Sequence, residues 1–445
     1  MFRTRFEITG ELSVRSPLHI GSGRTVTREA VSGKKGEPPP EIAALVRDVR
    51  GRPFLPGTTL KGLLRRIGES ALDQADCEGL FGVIRETSQG AIGALIVRGA
   101  AETAHGNAHG MPYADGGVFV VARTRVDRHS GTADDNSLHF TEMVAPDARF
   151  GLRLLLEPLP SQDGDKMIRD LIGVLSELCN PAGVAIGRGQ TDGFGRVQLD
   201  LNKVEIKRLV LNKQGDFAAQ NATAVWHKNK RPARVAGANR VKLVLTCDGP
   251  FVVLDPSHLP QHDAAGNPTG PQLKAQGRSG KALLLGSSLS GALRNRAAWL
   301  EALRRHKGGQ PVTSSREIDD MSRRLPASDG PASLTAVERV FGVTGFRGLL
   351  EIAAIEVTKG AAARFASVKL DRFSGAPIDN ALFETETFVG TEVTVTIGLA
   401  ARPKLPIEKA DSHLFKTIVE DILKNGIVLG HGGGKGFGWF SVRRE

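Results

Sequence analysis

Two segments of the chain combine closely spaced glycines with basic side chains, a pattern that suits the binding of a phosphate group. They read AIGRGQTDGFGRVQL, from Ala185 to Leu199, and VLGHGGGKGFGWFSV, from Val428 to Val442. Glycine has no side chain, so the backbone N–H groups of such a loop can approach a phosphate closely. The residues that we predict to bind phosphate are Gly187, Arg188, Gly189, Gly193, Gly433, Gly434 and Lys435. A tight turn against the first strand, with no ligand, is the alternative interpretation.

Two helix starts offer a second kind of phosphate site. The segments FLPGTTLKGLLRRIGES and LLLGSSLSGALRNRAAWL each place small hydroxyl residues before leucines at three- to four-residue spacing. That spacing predicts a helix with one buried face, whose first N–H groups lie at the positive end of the helix dipole. The hydroxyl and basic residues concerned are Thr58, Thr59, Lys61, Arg65, Ser287, Ser288 and Arg294. An ordinary helix cap with solvated charges is the alternative.

These features occur twice because the chain contains an internal duplication. CEGLFGVIRE pairs with VERVFGVTGF, and TRVDRHSGTADDNSLHFTEMV pairs with VKLDRFSGAPIDNALFETETF. Together with the helix starts and the glycine loops, four matched pairs follow in the same order, which chance similarity does not explain. The spacing between the pairs differs, so the two halves carry different insertions around one scaffold.

Each half follows one order of predicted elements. A strand, RFEITGELSVRSPLHI or RVKLVLTCDGPFVVL, precedes a long polar loop, a helix, further strands, a second helix, the glycine loop and a last strand. This order predicts an α+β fold in which a ferredoxin-like (RRM-like) domain is built twice. We assign residues 1–205 to the first domain, 206–237 to a basic linker and 238–445 to the second domain.

The composition fits a basic globular protein with a polyanionic partner. The chain has 445 residues, a net charge of +11 and 5% aromatic residues, so RNA would be held mainly by its phosphate backbone rather than by base stacking. Cys77, Cys179 and Cys247 lie far apart, which argues against a zinc site or a disulfide framework. We find neither a signal peptide nor an apolar run that could span a bilayer, and therefore expect a cytoplasmic protein without a membrane partner.

The segments SPLHIGSG, FLPGTTLKGLLR, VDRHSGTADDNSLHFTEMV and GRGQTDGFGRV resemble the backbone subunit of type III CRISPR effector complexes, a member of the RAMP superfamily. The resemblance covers nearly the whole chain, once per half, and the tandem form is similar to the fused subunits of type III-D systems. It implies ferredoxin-like RNA-binding domains, each with a thumb-type β-hairpin insertion. The partners that it implies are a guide CRISPR RNA, a target RNA and the other RAMP-type and large subunits of the complex.

The resemblance also assigns roles to the thumb. RTRVDRHSGTADDN and SVKLDRFSGAPIDN are similar to the hairpin that wedges into the guide–target duplex. Arg123, Arg125 and Arg128 would face phosphates. Asp127 and Asp371 would hold the hairpin by pairing with a neighbouring arginine, and a catalytic role is the alternative for Asp127.

The family cleaves target RNA with an aspartate in the loop between the first strand and the first helix, together with a divalent metal that we expect to be Mg²⁺. A carboxylate can hold the metal or orient the ribose 2′-hydroxyl that attacks its own phosphate. In the first half the matching place holds Ile42, beside Glu41, so either Glu41 substitutes or this half is inactive. The candidate catalytic residues are Glu41, Asp127, Asp255 and Asp263. Loop aspartates that only form turns are the alternative.

Three functional hypotheses follow from these residues. The first is a tandem RNA-binding backbone subunit that positions guide RNA and cleaves target RNA. The second is a structural scaffold of the same fold without cleavage. The third, a stand-alone ribonuclease, would need a histidine-centred acid–base site. His19 has Val252 as its counterpart in the repeat, so we interpret it as a satisfied strand histidine.

Overall fold

The computed structural model shows a chain folded into two similar halves. The described residues are 4–28, 31, 39–83, 90–124, 137–212, 215–231, 240–255, 258, 269–278, 280–309, 334–343, 346–401 and 405–445. Asp127, Arg125, Arg128 and Asp263, which the sequence analysis singles out, lie outside them.

The first half begins with a long strand whose side chains alternate between buried and less buried positions, as a strand with one face on a core requires. Its strands are β1 (Thr4–Val14), β2 (Gly21–Thr27), β3 (Glu41–Leu45), β4 (Phe54–Leu55), β5 (Gly82–Val83), β6 (Ala91–Ile92), β7 (Leu95–Val97), β8 (Ala100–Ala104), β9 (Val118–Arg123), β10 (His139–Val144), β11 (Arg149–Leu156), β12 (Val184–Ala185), β13 (Arg196–Leu199), β14 (Glu205–Leu211) and β15 (Phe217–Asn221). Its helices are α1 (Gly57–Ala71), α2 (Gln74–Phe81), α3 (Gly164–Glu177) and α4 (Thr223–Asn229).

The second half repeats this plan with fewer short strands and one long hairpin. Its strands are β16 (Arg240–Cys247), β17 (Leu273–Lys274), β18 (Gly277–Arg278), β19 (Lys281–Ala282), β20 (Leu350–Leu370), β21 (Pro377–Leu399), β22 (Ile427–Val428) and β23 (Trp439–Arg444). Its helices are α5 (Gly286–Lys307), α6 (Ala336–Phe341) and α7 (Lys409–Asn425).

The main sheets of the two halves share one strand order. The central strands run β13-β1-β11-β8 in the first half and β23-β16-β21-β20 in the second. All of these pairs are antiparallel. In chain order, these four strands are β1, β8, β11 and β13 in the first half and β16, β20, β21 and β23 in the second. A helix lies between the first and second strands and another between the third and fourth, so both halves have the order βαββαβ. The duplication read from the sequence is therefore a duplication of topology.

A smaller sheet lies beside the main sheet of the first half. It runs β2-β3-β10-β9, with β3 parallel to β10. Its counterpart in the second half is the parallel pair of β17 with the long strand β21. Matching these pairs makes Gln272 of the second half the counterpart of Ile42 in the first half.

Part of the segment assigned to a basic linker is folded against the first half. Strand β14 pairs with β1 from Thr4 to Thr9, and β15 pairs with β14. Trp226 of α4 is fully buried in the first core. Strands β14 and β15 and helix α4 are therefore elements of the first half.

Each half has its own hydrophobic core, and a third cluster joins them. This cluster consists of Ala108, Met111, Phe119, Val121, Met143, Ala145 and Phe194 of the first half with Leu285 of the second. Among the described residues, no helix is long and apolar enough to cross a membrane.

Candidate functional site

The two glycine loops form the same tight turn against the segment that follows the first strand of their half. A Cβ added at Gly187 would lie 2.4 Å from the carbonyl oxygen of His19, and one at Gly430 would lie 2.3 Å from that of Val252. Both glycines have a positive φ, which also disfavours a side chain. The matched hydrogen bonds are Phe194 N–H to Gly189 O and Phe437 N–H to Gly432 O at 3.1 Å each, Gly195 N–H to Pro17 O at 2.8 Å and Gly438 N–H to Pro250 O at 2.7 Å. Several loop amides therefore bind protein carbonyls in both halves.

The first glycine loop is covered by the second half. A Cβ at Gly286 would lie 1.6 Å from the carbonyl oxygen of Asp192, and one at Gly193 would lie 3.1 Å from the side chain of Ile352. The Asp192 carboxylate accepts a hydrogen bond from the side chain of Ser290, the fifth residue of α5. We call this contact surface the seam. Its residues are Arg123, Asp192, Gly193, Phe194 and Arg196 from the first half and Leu285, Gly286, Ser290, Glu351 and Ile352 from the second.

Charged groups reinforce the seam. The guanidinium of Arg196 is 3% exposed and donates to the Glu351 carboxylate at 2.8 Å, and Arg240 donates to the same carboxylate at 2.8 Å. Burial alone would raise the pKa of Glu351, but these two arginines hold it below its usual value. Arg123 donates to Asp192 at 3.3 Å, yet burial raises the pKa of this aspartate overall. The seam is thus a polar, largely desolvated joint.

The second glycine loop is open. A Cβ at Gly434 or Gly436 would meet nothing within 4 Å, and Lys435 is exposed. The ammonium of Lys435 lies 6.0 Å from the ring centre of Phe383, within reach of a cation–π contact. Burial, followed by the charge of Lys435, lowers the pKa of His431 in the same loop. This surface combines a cation with backbone that no side chain shields.

The helix starts differ in their surroundings. Neither α1 nor α5 has a side-chain cap, so the hydroxyls of Thr58, Thr59, Ser287 and Ser288 do not act as helix caps. Thr58 is exposed. Ser287 and Ser288 are half-buried beside the seam. The start of α1 is therefore the more accessible of the two predicted phosphate sites.

The arginines predicted on these helices contact backbone carbonyls. Arg65 donates to the carbonyl oxygens of Phe81 at 2.6 Å and Gly82 at 2.9 Å. Arg294 donates to that of Gly342 at 3.2 Å. The two residues thus occupy equivalent positions and hold the end of the following short helix in each half. Lys61 is half-buried, and burial, followed by the charge of Arg65, lowers its pKa.

The strand-to-helix region of the first half is braced by a buried glutamate. Glu142 is 2% exposed, contacts Arg28, and accepts hydrogen bonds from Arg47 at 3.2 Å and from the Leu45 amide at 3.0 Å. His19 is also buried, and its Nδ1 lies 2.8 Å from the carbonyl oxygen of Glu142, as for a satisfied strand histidine. These contacts fix β3 against β10.

The first-half carboxylates have contrasting surroundings. Ile42 is fully buried beside Val31 and Val120, and Glu41 is exposed at the start of β3. Asp48 accepts hydrogen bonds from the amides of Arg50 and Arg52, which hold its pKa below the usual value although desolvation opposes the shift. Asp48 is therefore part of a turn, and Glu41 is the carboxylate that solvent reaches.

The second half places Asp255 close to a residue of the first. Tyr113 packs on the cluster that contains Ile42, and burial, followed by the charge of Asp255, raises the pKa of its phenol. Tyr113 is also one of two described non-glycine residues with a positive φ, at 50°. Gln272, the counterpart of Ile42, accepts through its side chain from the amide of Glu384 at 2.5 Å. Asp255 thus lies near the boundary of the halves. The matched strand position, Ile42 in the first half and Gln272 in the second, carries no carboxylate in either half.

The predicted thumb of the second half is a long antiparallel hairpin. Strands β20 and β21 pair from Leu350 with Leu399 out to Leu370 with Pro377. Asp371 accepts hydrogen bonds from the amides of Phe373 at 3.0 Å and Ser374 at 2.7 Å. Backbone groups, where we expected an arginine, therefore hold this turn.

A shallow groove of about 330 Å³ lies where the first glycine loop meets the second half. Gly187, Gly189 and Thr191 line one side, and Phe346 and Arg347 line the other. The groove brings loop backbone from one half beside a cation and an aromatic ring from the other. Phe346 is the last residue of the repeated segment VERVFGVTGF, to which the sequence analysis assigned no binding role, and Arg347 follows it.

The family model of the RAMP superfamily matches two regions of the chain, residues 11–198 and 245–441. The chain belongs to the RAMP superfamily. Each matched region covers most of one main sheet and of one glycine loop, so the chain contains two RAMP domains in tandem. RAMP proteins are CRISPR-associated RNA-binding proteins that work in complexes with RNA. No curated protein matches the chain.

The RAMP domains contain no ready-made metal site in their described residues. Within these residues, no group of three or more His, Cys, Asp or Glu side chains converges. Mg²⁺ is commonly held by one or two carboxylates, with phosphate oxygens and water completing its shell. Asp255 is a carboxylate of this kind. Phosphate oxygens of a bound RNA, with water, would supply the other ligands of the ion.

Proposed function

We propose that this tandem RAMP protein is a backbone subunit of a type III CRISPR ribonucleoprotein, of the type III-D form, that holds a guide RNA by its phosphates. Its domains are of the ferredoxin-like kind, an assignment supported by the βαββαβ order and the shared strand order. The partners are the guide RNA, a target RNA and further RAMP-type and large subunits, in the cytoplasm.

The observation that carries this proposal is the repetition of one glycine turn, with exposed basic residues, in both RAMP domains. Arg188 in the first loop and Lys435 in the second are exposed. Thr58 and Lys61 at the start of α1 add a hydroxyl and a third cation. A net charge of +11 supplies the long-range attraction that phosphate binding needs.

RNA that co-purifies with the protein tests the proposal. The chain is expressed with a CRISPR array, purified, and its bound RNA is sequenced. We expect enrichment of CRISPR transcripts, and a strong decrease in bound RNA for Arg188→Glu combined with Lys435→Glu. Leu201→Glu, at an exposed apolar residue outside both loops, is the control. Absence of bound RNA, or bulk cellular RNA without CRISPR transcripts, contradicts the proposal.

Metal-dependent cleavage of the target RNA is the second candidate function, and one observation favours it. The charge of Asp255 acts on the phenol of Tyr113 across the boundary of the halves, and we place a target nucleotide near this boundary. Mg²⁺ bound there with phosphate oxygens would stabilise the developing charge on the phosphate. Asp255 would hold the ion, and Glu41 is the exposed carboxylate available in the first half. The scaffold without cleavage remains the alternative.

Product mapping decides between these two functions. The complex is assembled with guide RNA, and labelled target RNA is incubated with Mg²⁺ or with EDTA. Asp255→Asn is expected to remove one product end. Glu41→Gln is expected to remove any cut that the first half makes. Guide binding should be unchanged in both variants. An unaltered product pattern in both variants, and in Asp127→Asn and Asp263→Asn, supports the scaffold.

A further inference from the structure

Strand β15 forms an open edge of the main sheet of the first half. It pairs with β14 on one side, and no described strand pairs with its other side. All five of its residues are exposed. The strand lies between the two regions that the family model matches, and the described second half has no counterpart of it. An open strand edge presents backbone groups to which another strand can bind.

Two hydrogen bonds determine how the backbone of β15 is turned. At one end of the β14–β15 pair, the Asn212 amide donates to the carbonyl oxygen of Asp216 at 2.8 Å. At the other end, the Ala222 amide donates to the carbonyl oxygen of Ile206 at 2.8 Å. Hydrogen-bonded and non-hydrogen-bonded residue pairs alternate along an antiparallel ladder. Both bonds fit the same alternation, which therefore holds along the whole strand.

This alternation assigns the backbone groups of β15 to its two sides. The residues in hydrogen-bonded pairs are Ala218 and Gln220, whose backbone groups face β14. The N–H and C=O groups of Phe217, Ala219 and Asn221 therefore point away from β14. We call this row of outward groups, on Phe217, Ala219 and Asn221, the β15 edge.

The β15 edge lacks the features with which proteins block an open strand. Its sequence, FAAQN, contains no proline and no charged residue, and its register with β14 is free of bulges. The strand is also firmly held, because Trp226 of the following helix α4 is fully buried and its Nε1 donates to the carbonyl oxygen of Leu201 at 3.2 Å. An unprotected edge on an anchored element is suited to receive a partner.

The side chains around the β15 edge indicate the chemistry of that partner. Residues 205–231 include six Lys or Arg and two Asp or Glu. Lys207 is exposed and lies across from Asn221 in the register of the two strands. At the other end Phe217 is 37% exposed, and the guanidinium of Arg5 lies 4.6 Å from its ring centre. A partner strand with acidic side chains near Lys207 and an apolar one beside Phe217 matches this surface.

We propose that the β15 edge binds an extended acidic segment of another protein as an added strand. Backbone hydrogen bonds supply the affinity, and Lys207 and Phe217 supply the preference for sequence. RNA matches the edge less well, because phosphates only accept hydrogen bonds whereas the edge presents as many acceptors as donors. A second copy of the chain also matches less well, because its own β15 carries no acidic side chain.

Peptide binding to the full chain tests the proposal by fluorescence anisotropy. The probe is a labelled peptide of about ten residues that alternates valine and glutamate, and the comparison peptide alternates valine and lysine. We expect the glutamate peptide to bind more tightly to the wild-type chain. Residue-resolved amide exchange should show that this peptide protects Phe217, Ala219 and Asn221 and leaves Ala218 and Gln220 unchanged.

Ala219→Pro removes an outward N–H group without removing a hydrogen bond to β14. It should weaken binding of the glutamate peptide by about tenfold, because a carbonyl oxygen of the added strand loses its donor. Ala219→Thr keeps the amide and is the matched control, which should bind like the wild-type chain. Circular dichroism establishes that both variants are folded.

Lys207→Glu tests the charge preference without any change in the backbone. It should weaken binding of the glutamate peptide and strengthen binding of the lysine peptide, because the charge beside the edge is reversed. This variant also keeps the proposal testable if proline disturbs the strand.

RNA affinity and self-association, measured on the same samples, separate this proposal from the proposed function. Wild-type binding of the glutamate peptide by folded Ala219→Pro overturns the proposal, and so does a wild-type chain that does not distinguish the two peptides. Self-association that Ala219→Pro abolishes, without peptide binding, would assign the edge to a second copy. Loss of RNA affinity in that variant, again without peptide binding, would assign it to RNA. Either result overturns the proposal and leaves the proposed function standing.

Discussion

Arg196 of the first RAMP domain donates to the carboxylate of Glu351 in the second at 2.8 Å, across a seam from which water is largely excluded. Arg240 donates to the same carboxylate from within the second domain. One carboxylate thus balances two cations, and the orientation of the halves depends on it. The proposed function, in which both halves hold one RNA, needs such a fixed orientation.

Glu351→Gln is predicted to destabilise the chain at neutral pH. Removing one partner leaves Arg196 buried without a counter-charge, which costs about 3 kcal/mol in buried pairs. The pKa of Glu351 is lowered, so its contribution is complete above the pKa of the unfolded state and is lost as pH falls from that value through the lower pKa of the folded state. The difference between wild type and variant in urea unfolding should therefore persist at neutral pH and shrink only below a pH of about 4.

The control for this experiment is Glu445→Gln. Glu445 pairs with Lys242 at 2.8 Å, but both side chains are about half exposed, so the pair contributes under about 1 kcal/mol. If Glu351→Gln loses no more unfolding free energy than this control, the seam does not depend on the ion pair of Arg196 with Glu351.

Gly193→Val and Gly436→Val separate packing from backbone strain. Both glycines have φ near 80°, so both variants are strained, by roughly 1–3 kcal/mol. Only Gly193 faces a neighbour, Ile352 at 3.1 Å, so Gly193→Val should also push the halves apart. We expect the lower melting temperature for Gly193→Val. Equal melting temperatures would mean that the seam does not hold this loop.

Tyr113 reports on Asp255 because it is the only tyrosine of the chain. Burial and the charge of Asp255 both raise the pKa of the phenol, so Asp255→Asn is predicted to lower it. The measurement is the absorbance of tyrosinate against pH, with circular dichroism to confirm folding. Asp248→Asn, an exposed carboxylate on the preceding strand end, should leave the titration unchanged. An identical titration in Asp255→Asn would place the two residues too far apart to act together.

Lys61→Ala and Arg65→Ala, one helical turn apart, should behave differently. Lys61→Ala is expected to weaken RNA binding uniformly across sequences and to reduce the salt slope by about one. Arg65→Ala removes two hydrogen bonds to carbonyl oxygens and should lower stability by roughly 1–3 kcal/mol. Thermal unfolding and fluorescence anisotropy distinguish them. Equal loss of RNA affinity with unchanged stability in Arg65→Ala would instead support its predicted role in RNA binding.

The sequence predicts the parts of the fold that depend on local pattern and repetition. Alternating residues define β1 and β16, and the matched segments reveal the duplication through residue identity alone. The segment from residue 206 has the basic and Gln/Asn-rich composition of a linker. This composition does not predict that Trp226 is buried, because the burial of that residue depends on tertiary packing. No local pattern signals that a single buried tryptophan anchors a segment.

The site is less predictable because its geometry arises between the halves. Gly187, which the sequence predicts to bind phosphate, is required by its close contact with the His19 carbonyl, whereas a Cβ at Gly434 would meet nothing within 4 Å. Arg65 and Arg294 have the spacing of surface cations, yet each bonds a carbonyl over 15 residues away. Tyr113 and Glu351 carry no motif. Each has one partner in the opposite half, Asp255 for Tyr113 and Arg196 for Glu351, and a single sequence holds no record of that packing.

The salt dependence of RNA affinity tests the central claim most directly, that both RAMP domains hold RNA by its phosphates. Dissociation constants are measured for two unrelated RNA sequences of equal length over a range of salt concentrations. We predict a linear fall of log affinity with log salt, of about 0.7 per phosphate contacted, with the same slope for both sequences. Arg188→Ala and Lys435→Ala should each reduce that slope. Affinity that does not change with salt, or that belongs to one sequence alone at high salt, would contradict the claim.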